Sequence, residues 1–385
     1  MKHVTKFTVD SGISRSILVL SFVIMLGGCM VFVPNPEVTQ HRDNLVVIET
    51  PFKNIESNPR QLIKICREFY RHYEDVFDAL VLISHKPWLS KEPSQLGAGT
   101  MGQMVVVRNS ISGTGTSIRD FASALGSKRQ LKGIIHLESE FEIMGGSMLH
   151  EFMHLWMFDL EVIPTGFSGH WGFSSVGGVL GGFQREEFKT IGDGKYVAGD
   201  FSPQRAIKPV LYSELEMYLA GWIPPSDVPD VWVAEDGEFS LRELTEETLA
   251  ECMITSGPNE GTLDGDCIME TDSDGNPIFT ASKSSTWSIE QIIEKLGPRV
   301  PNHEHSQKEF RVAFIYLSDG IEPVTESRFD LTEFWIEQFT SNEPTPRWLN
   351  VEDEDSSEKI SFYNFWEATR GIATMEAGNL QSFRR

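Results

Sequence analysis

Five consecutive residues carry the clearest chemistry in this chain: His150-Glu151-Phe152-Met153-His154. On an α-helix, positions four apart lie on one face, so both imidazoles can reach a single metal ion. Glu151 projects beside them, where a carboxylate can hold a water molecule and take its proton. A zinc ion in such a setting lowers the pKa of its water toward about 7. The flanking residues are Met144, Met148, Leu149, Leu155, Trp156, Met157 and Phe158. A helix that is apolar nearly all round is buried. Two imidazoles and a carboxylate inside it are costly unless paired or bound to a metal. The plainer reading is a satisfied core histidine with a surface glutamate.

The elements that must position these residues can be read from periodicity. The apolar run predicts one helix from about 140 to 160. Before it, Leu45–Ile48, Phe77–Ser84, Met104–Val107 and Lys132–Leu137 read as strands, and 59–76 as a helix with apolar spacing at Leu62, Ile65, Cys66, Phe69, Tyr70 and Tyr73. Residues 167–183 are glycine-dense and predict an irregular loop. A short helix over 210–221 is stopped by Pro224-Pro225. Residues 226–285 read as strands and loops with an acidic centre. Beyond them come a helix over 286–296, a buried strand over Phe310–Leu317, and helices near 331–340 and 360–370. This order predicts an α+β fold, a mixed sheet backed by helices.

The chain has 385 residues, four of them cysteine, with 40% hydrophobic and 23% charged residues, the composition of a globular protein. With 33 Lys and Arg against 56 Asp and Glu the net charge is −23, which disfavours nucleic acid as a partner. Lys2, Lys6 and Arg15 precede an apolar run, Ile17–Leu26, too short for a comfortable membrane span. Leu26-Gly27-Gly28-Cys29 follows and resembles the lipobox of bacterial lipoproteins. The resemblance implies a signal peptide over 1–28, lipidation at Cys29, and an exported, membrane-anchored chain. A tether over 29–43 is expected next, with folded structure from Asn44. Loss of three cations and Asp10 with the signal takes the charge from −23 to −25. Export also permits a disulfide between Cys252 and Cys267, leaving Cys66 as a buried thiol.

The His-Glu-x-x-His run resembles the active-site helix of zincin metallopeptidases. More narrowly, several segments resemble little-characterised exported bacterial zincins: GTG at 113–115, His170-Trp171, LYSELEMYLAGWIPP, GPRVP with SQKEFRVAF near 297–314, and NFWEATRGIAT. The resemblance implies a zincin-like catalytic domain over 44–225, a C-terminal α/β subdomain over 226–385, zinc as cofactor and a peptide or protein substrate. The metzincin pattern fails, because Leu160 stands where the third histidine belongs and Met157 where the glycine belongs. His170, in the glycine-rich loop, is the favoured third ligand. Glu216 is the alternative, with Tyr212 on the same helix as a donor to a developing oxyanion; with His170 as the ligand, Glu216 is expected instead to support that histidine without touching the metal. Glu214, Asp159 and Glu161 are further candidates.

The resulting expectation is a lipid-anchored zinc metallopeptidase with Glu151 as general base and His150, His154 and His170 on the metal. A non-catalytic surface or envelope lipoprotein that retains a zincin fold is the alternative. Two further features are weaker. Met104–Val107 is a candidate edge strand for pairing with an extended peptide, and Asp264–Asn276 a candidate calcium loop against a plain solvated one. His303-Glu304-His305 reads as a loop.

Overall fold

The computed structural model describes residues 35–52, 55, 58–84, 102–205, 208–254, 263–265, 267–346, 349, 351–352 and 359–385. The expected signal segment and Cys29 lie outside them. No helix among the described residues is long and apolar enough to cross a membrane.

A mixed, seven-stranded sheet organises the chain. Its strands are β1 (Glu37–His41), β2 (Leu45–Glu49), β3 (Ala79–Ser84), β4 (Gln103–Val106), β5 (Gly133–Leu137), β6 (Glu309–Ser318) and β7 (Thr374–Glu376). The order across the sheet is β1-β2-β6-β3-β5-β4, with β7 beside the first residues of β6. Strand β6 runs parallel to both β2 and β3, and β3 parallel to β5, while β1 and β4 are antiparallel at the two edges. A strand buried on both faces needs an unbroken apolar run, and FRVAFIYL supplies it. The two-residue period then splits its side chains. Phe310, Val312, Phe314 and Tyr316 join one core, and Ala313, Ile315 and Leu317 the other.

The second of these cores lies under helix α1 (Pro59–His72), which buries Leu62, Ile65, Cys66, Phe69 and Tyr70. Asn58 caps it by accepting the Gln61 amide proton. The first core contains the short helices α2 (Ser147–Met153) and α3 (Glu214–Ala220), each of whose apolar residues joins the Phe310 face. A smaller antiparallel sheet in the order 238–239, 278–280, 195–197, 189–192 closes on Phe173, Phe183 and Phe279.

Several expectations change. Residues 37–41 are not tether but β1, because Glu37, Val38, Gln40 and His41 pair with β2 across a bulge at residue 39. The boundary between 225 and 226 does not divide the chain: residues 32–385 form one unit, and β6 from the expected C-terminal subdomain is the central strand of the sheet. The single helix over 140–160 is instead a 3-10 turn at Glu140–Ile143, a break at Gly145-Gly146, and α2. Residues 284–287 form a strand, and the helix predicted over 286–296 starts at Ile289, after the Ser288 cap. The last predicted helix is one turn, Phe365–Ala368. Cys252 and Cys267 form the expected disulfide and Cys66 is buried and free. In the acidic stretch Glu270 pairs with Lys195, and Asp272 accepts from the Asp274 and Asn276 amides.

Candidate metal centre

Helix α2 begins where the chain turns sharply. Gly146 has φ +107°, and a Cβ there would lie 2.7 Å from the backbone carbon of Lys208, so only glycine fits between α2 and Lys208-Pro209. The helix ends at His154, which keeps helical φ and ψ, so the four-residue spacing of His150 and His154 survives. Beyond it the chain leaves the helix on Gly115. That glycine donates its amide to Trp156 O, and its carbonyl accepts from the amides of Phe158, Asp159 and Leu160. The 113–115 segment singled out in the sequence therefore terminates the helix that carries the motif.

His170 arrives on a loop built from turns. Thr165 Oγ1 accepts from the Phe167 amide and donates to the His170 carbonyl, and the His170 amide donates to Phe167 O. Gly169 has φ +72°, and a Cβ there would lie 3.5 Å from His154 Cε1, so this turn sits directly on the second histidine. The outer part of the loop rests on the Val231–Ala234 strand: Ser175 donates to Trp232 O and Ala234 to Phe173 O.

The three imidazoles face one another through Nε2. His150 Nε2 lies 3.2 Å from both His154 Nε2 and His170 Nε2. One ligand atom from each lies within 4.8 Å of the other two. Each Nδ1 meets backbone carbonyls: His150 meets Val179 O at 2.9 Å and also Arg205 O, His154 meets Met157 O at 2.7 Å, and His170 meets Ser168 O at 3.0 Å. A carbonyl only accepts, so each Nδ1 carries the proton and each Nε2 presents a lone pair. Burial holds all three histidines below the usual pKa, His170 at about 3, with neighbouring imidazoles lowering His154 and His170 further. They are neutral at pH 7. Three buried lone pairs converging on one point repel one another, and a cation between them removes the conflict. The donor set fits a metal ion, and carbonyl-oriented imidazoles are the usual support of one. Neutral imidazole also matches zinc, copper, nickel and iron chemistry.

Glu151, the next residue on α2, is 5% exposed. It leans on the chain just before β4, since a Cβ on Gly102 would lie 2.5 Å from Glu151 Cγ and 3.0 Å from Oε1. Burial, with a smaller contribution from the Glu142 charge, pushes its carboxyl up to about 8.

The structure brings His150, His154 and His170 together, keeps Glu151 as the residue next to His150 on α2 and against Gly102, and sends the other candidates elsewhere. Glu216 is fully buried and accepts four hydrogen bonds, from Trp171 Nε1 and the amides of Val179, Leu180 and Ser213. Tyr212 precedes α3 and donates its hydroxyl to Leu149 O, so it is not free to act as an oxyanion donor. Glu214 pairs with Arg370, Asp159 with Arg119, and Glu161 accepts from the Gly166 amide. Sequence reasoning missed the carbonyls of Val179, Arg205, Met157 and Ser168, because every residue has a carbonyl and no side-chain pattern marks these. An open cavity of about 480 Å³ lies nearby, bounded by Gly177, Asp200, Lys208, Ser213 and Arg370, and none of the three histidines lines it. Compared with known proteins, the chain matches no family model, no curated protein and no solved structure.

Proposed function

We propose that this protein is a zinc-dependent metallopeptidase of zincin type, exported and held at a membrane by a lipid on Cys29. The observation that carries the reading is the convergence of three neutral Nε2 atoms, two of them from α2, whose next residue after His150 is a buried carboxylate. His150, His154 and His170 would hold the metal. A zinc ion held there supplies a Lewis acid for a peptide carbonyl and acidifies water to a nucleophile near neutral pH. A dication held by the three histidines would favour the ionised form of Glu151, whose carboxylate would then take the proton of the attacking water and deliver it to the leaving amine. Strand β4 supports the substrate side of the reading. It is an edge strand, its start touches Glu151, and its outer face has no strand partner among the described residues. An extended peptide can add to it as a further strand.

Replacing Glu151 by Gln keeps the shape of the side chain and removes the base. Zinc content should stay near one per chain while hydrolysis of a mixed peptide pool falls by roughly 10²–10⁴-fold. His170→Ala should instead weaken zinc binding by roughly two orders of magnitude. Hydrolysis unchanged in Glu151→Gln sinks the mechanism, and zinc retained in His170→Ala sinks the ligand set. The second reading is a non-catalytic envelope or surface lipoprotein. The observation that favours it is the low exposure of the motif, with His150, Glu151 and His154 between 4% and 6%. It predicts zinc binding without peptide products in the same assay.

A further inference from the structure

We propose that Glu216 is the positioning residue of the three-histidine centre: one carboxylate that sets the place of two of the three imidazoles without touching the metal. The inference rests on the metal reading above and names the device that maintains it.

The loop that carries His170 closes on itself at a neck, where the Trp171 amide donates to Leu180 O. Glu216 occupies that neck. Its Oε1 accepts from Trp171 Nε1 at 2.8 Å and the Leu180 amide at 2.9 Å, and its Oε2 from the Val179 amide at 3.1 Å and the Ser213 amide at 2.8 Å. Both sides of the neck are thus tied to one group. Trp171 is the residue next to His170. Val179 is the residue whose carbonyl faces His150 Nδ1 at 2.9 Å. The path to each imidazole is a single residue long. His154 is outside this arrangement, since its Nδ1 donates to Met157 O.

The chemistry of the four partners requires a carboxylate. All four are N–H donors, and an ionised carboxylate is the side chain that offers two oxygens and no hydrogen. An amide would turn its NH₂ toward two of those donors and leave them unpaired in a fully buried place. The fit is close enough to exclude a neighbouring side chain. A Cβ at Gly178 would lie 1.9 Å from Glu216 Oε2, so the loop backbone rests on the carboxylate. From behind, the carboxylate is fixed by its own helix. Ser213 and Glu216 form a reciprocal capping box at the start of α3, and the buried Arg299 donates to the Leu219 and Ala220 carbonyls at its end.

The test is metal binding in the full chain, read without substrate, so the fate of the peptidase reading does not enter it. Zinc affinity is measured by competition with a chromophoric chelator, and geometry by the visible absorption of the Co(II) form. Glu216→Gln should bind zinc roughly 10- to 100-fold more weakly, the range found when the groups orienting metal-bound histidines are removed. Its Co(II) band should lose intensity or shift. Glu216→Asp, which keeps an acceptor-only group, should recover part of both. Trp171→Phe removes one donor of four and should weaken binding by less than Glu216→Gln, which keeps the test open if the Gln variant fails to fold. Asp78→Asn is the comparison for general loosening. Asp78 is buried, takes no part in the hydrogen bonds of the three histidines or of Glu216, and accepts from Gln130, Lys132, Gln307 and the Arg311 amide. It should lower the melting temperature with no change in zinc affinity or in the Co(II) band. Wild-type affinity and spectrum in Glu216→Gln, or an equal loss in Asp78→Asn, overturns the proposal. A wild-type chain whose zinc affinity is unmoved by His150→Ala overturns it together with the metal reading.

Discussion

The protonation of a few buried side chains decides what this site costs the metal-free protein. Glu151 goes from a carboxyl of pKa 4.5 in the unfolded chain to about 8 in the fold. The folded state therefore keeps a proton that the unfolded state gives up, and this contribution to stability is full below 4.5 and is lost as pH rises through 8. Glutamine mimics the protonated acid at every pH. In chelator-treated protein, Glu151→Gln should therefore stabilise at pH 8 by on the order of a few kcal/mol and by much less at pH 5. A calorimetric difference between the two proteins that does not change with pH refutes the burial argument. The histidines act with the opposite sign. Their pKa values are lowered, so stability falls as pH drops below 6.5 and the unfolded chain takes up protons. At this scale the sequence was most legible. His150 and His154 are legible through their spacing, and His170 as an imidazole among glycines that needs a reason to be there. The work of Glu216 was legible only in outline, as a partner standing behind His170 once that histidine is the ligand. Its donors come from 171, 179–180 and 213, and nothing in the intervals between those positions says that one carboxylate meets them all.

Element boundaries were less legible than element types. The apolar run from 144 to 158 fits a helix and a buried turn equally well, because burial selects side chains and leaves the backbone path open. What separates the two here is a pair of contacts distant in sequence: Gly146 against Lys208, and Gly115 against 156–160. The same holds for β6, whose apolar run was plain although its place between β2 and β3 was not, since pairing partners are set by the whole sheet. Gly146→Ala tests the element-level account. A left-handed φ and a backbone carbon at 2.7 Å both oppose a methyl group, so the variant should lose about 2 kcal/mol or more and bind zinc more weakly. Chemical denaturation and zinc competition read the two effects. Unchanged stability would mean that the start of α2 is not clamped as described.

For the molecule as a whole, charge is the property that bears on what it meets. An excess of acidic groups, −23 over the chain, attracts cationic chains and repels anionic ones over about a Debye length. If the peptidase reading holds, matched basic peptides should be cleaved faster than acidic ones at low salt, with the gap narrowing as salt rises. Equal rates at low salt would show that the field does not reach the cleft. The position of β6 has a consequence of a different kind, in the order of events during synthesis. Strands β2 and β3 are separated by β6, which is made more than two hundred residues after either. Until it appears, each offers an unpaired parallel edge, and one core lacks Phe310, Val312, Phe314 and Tyr316 and the other Ala313, Ile315 and Leu317. Folding must then wait for non-local contacts that are slow to find, and any chain that stops before residue 309 lacks the strand on which both cores are assembled.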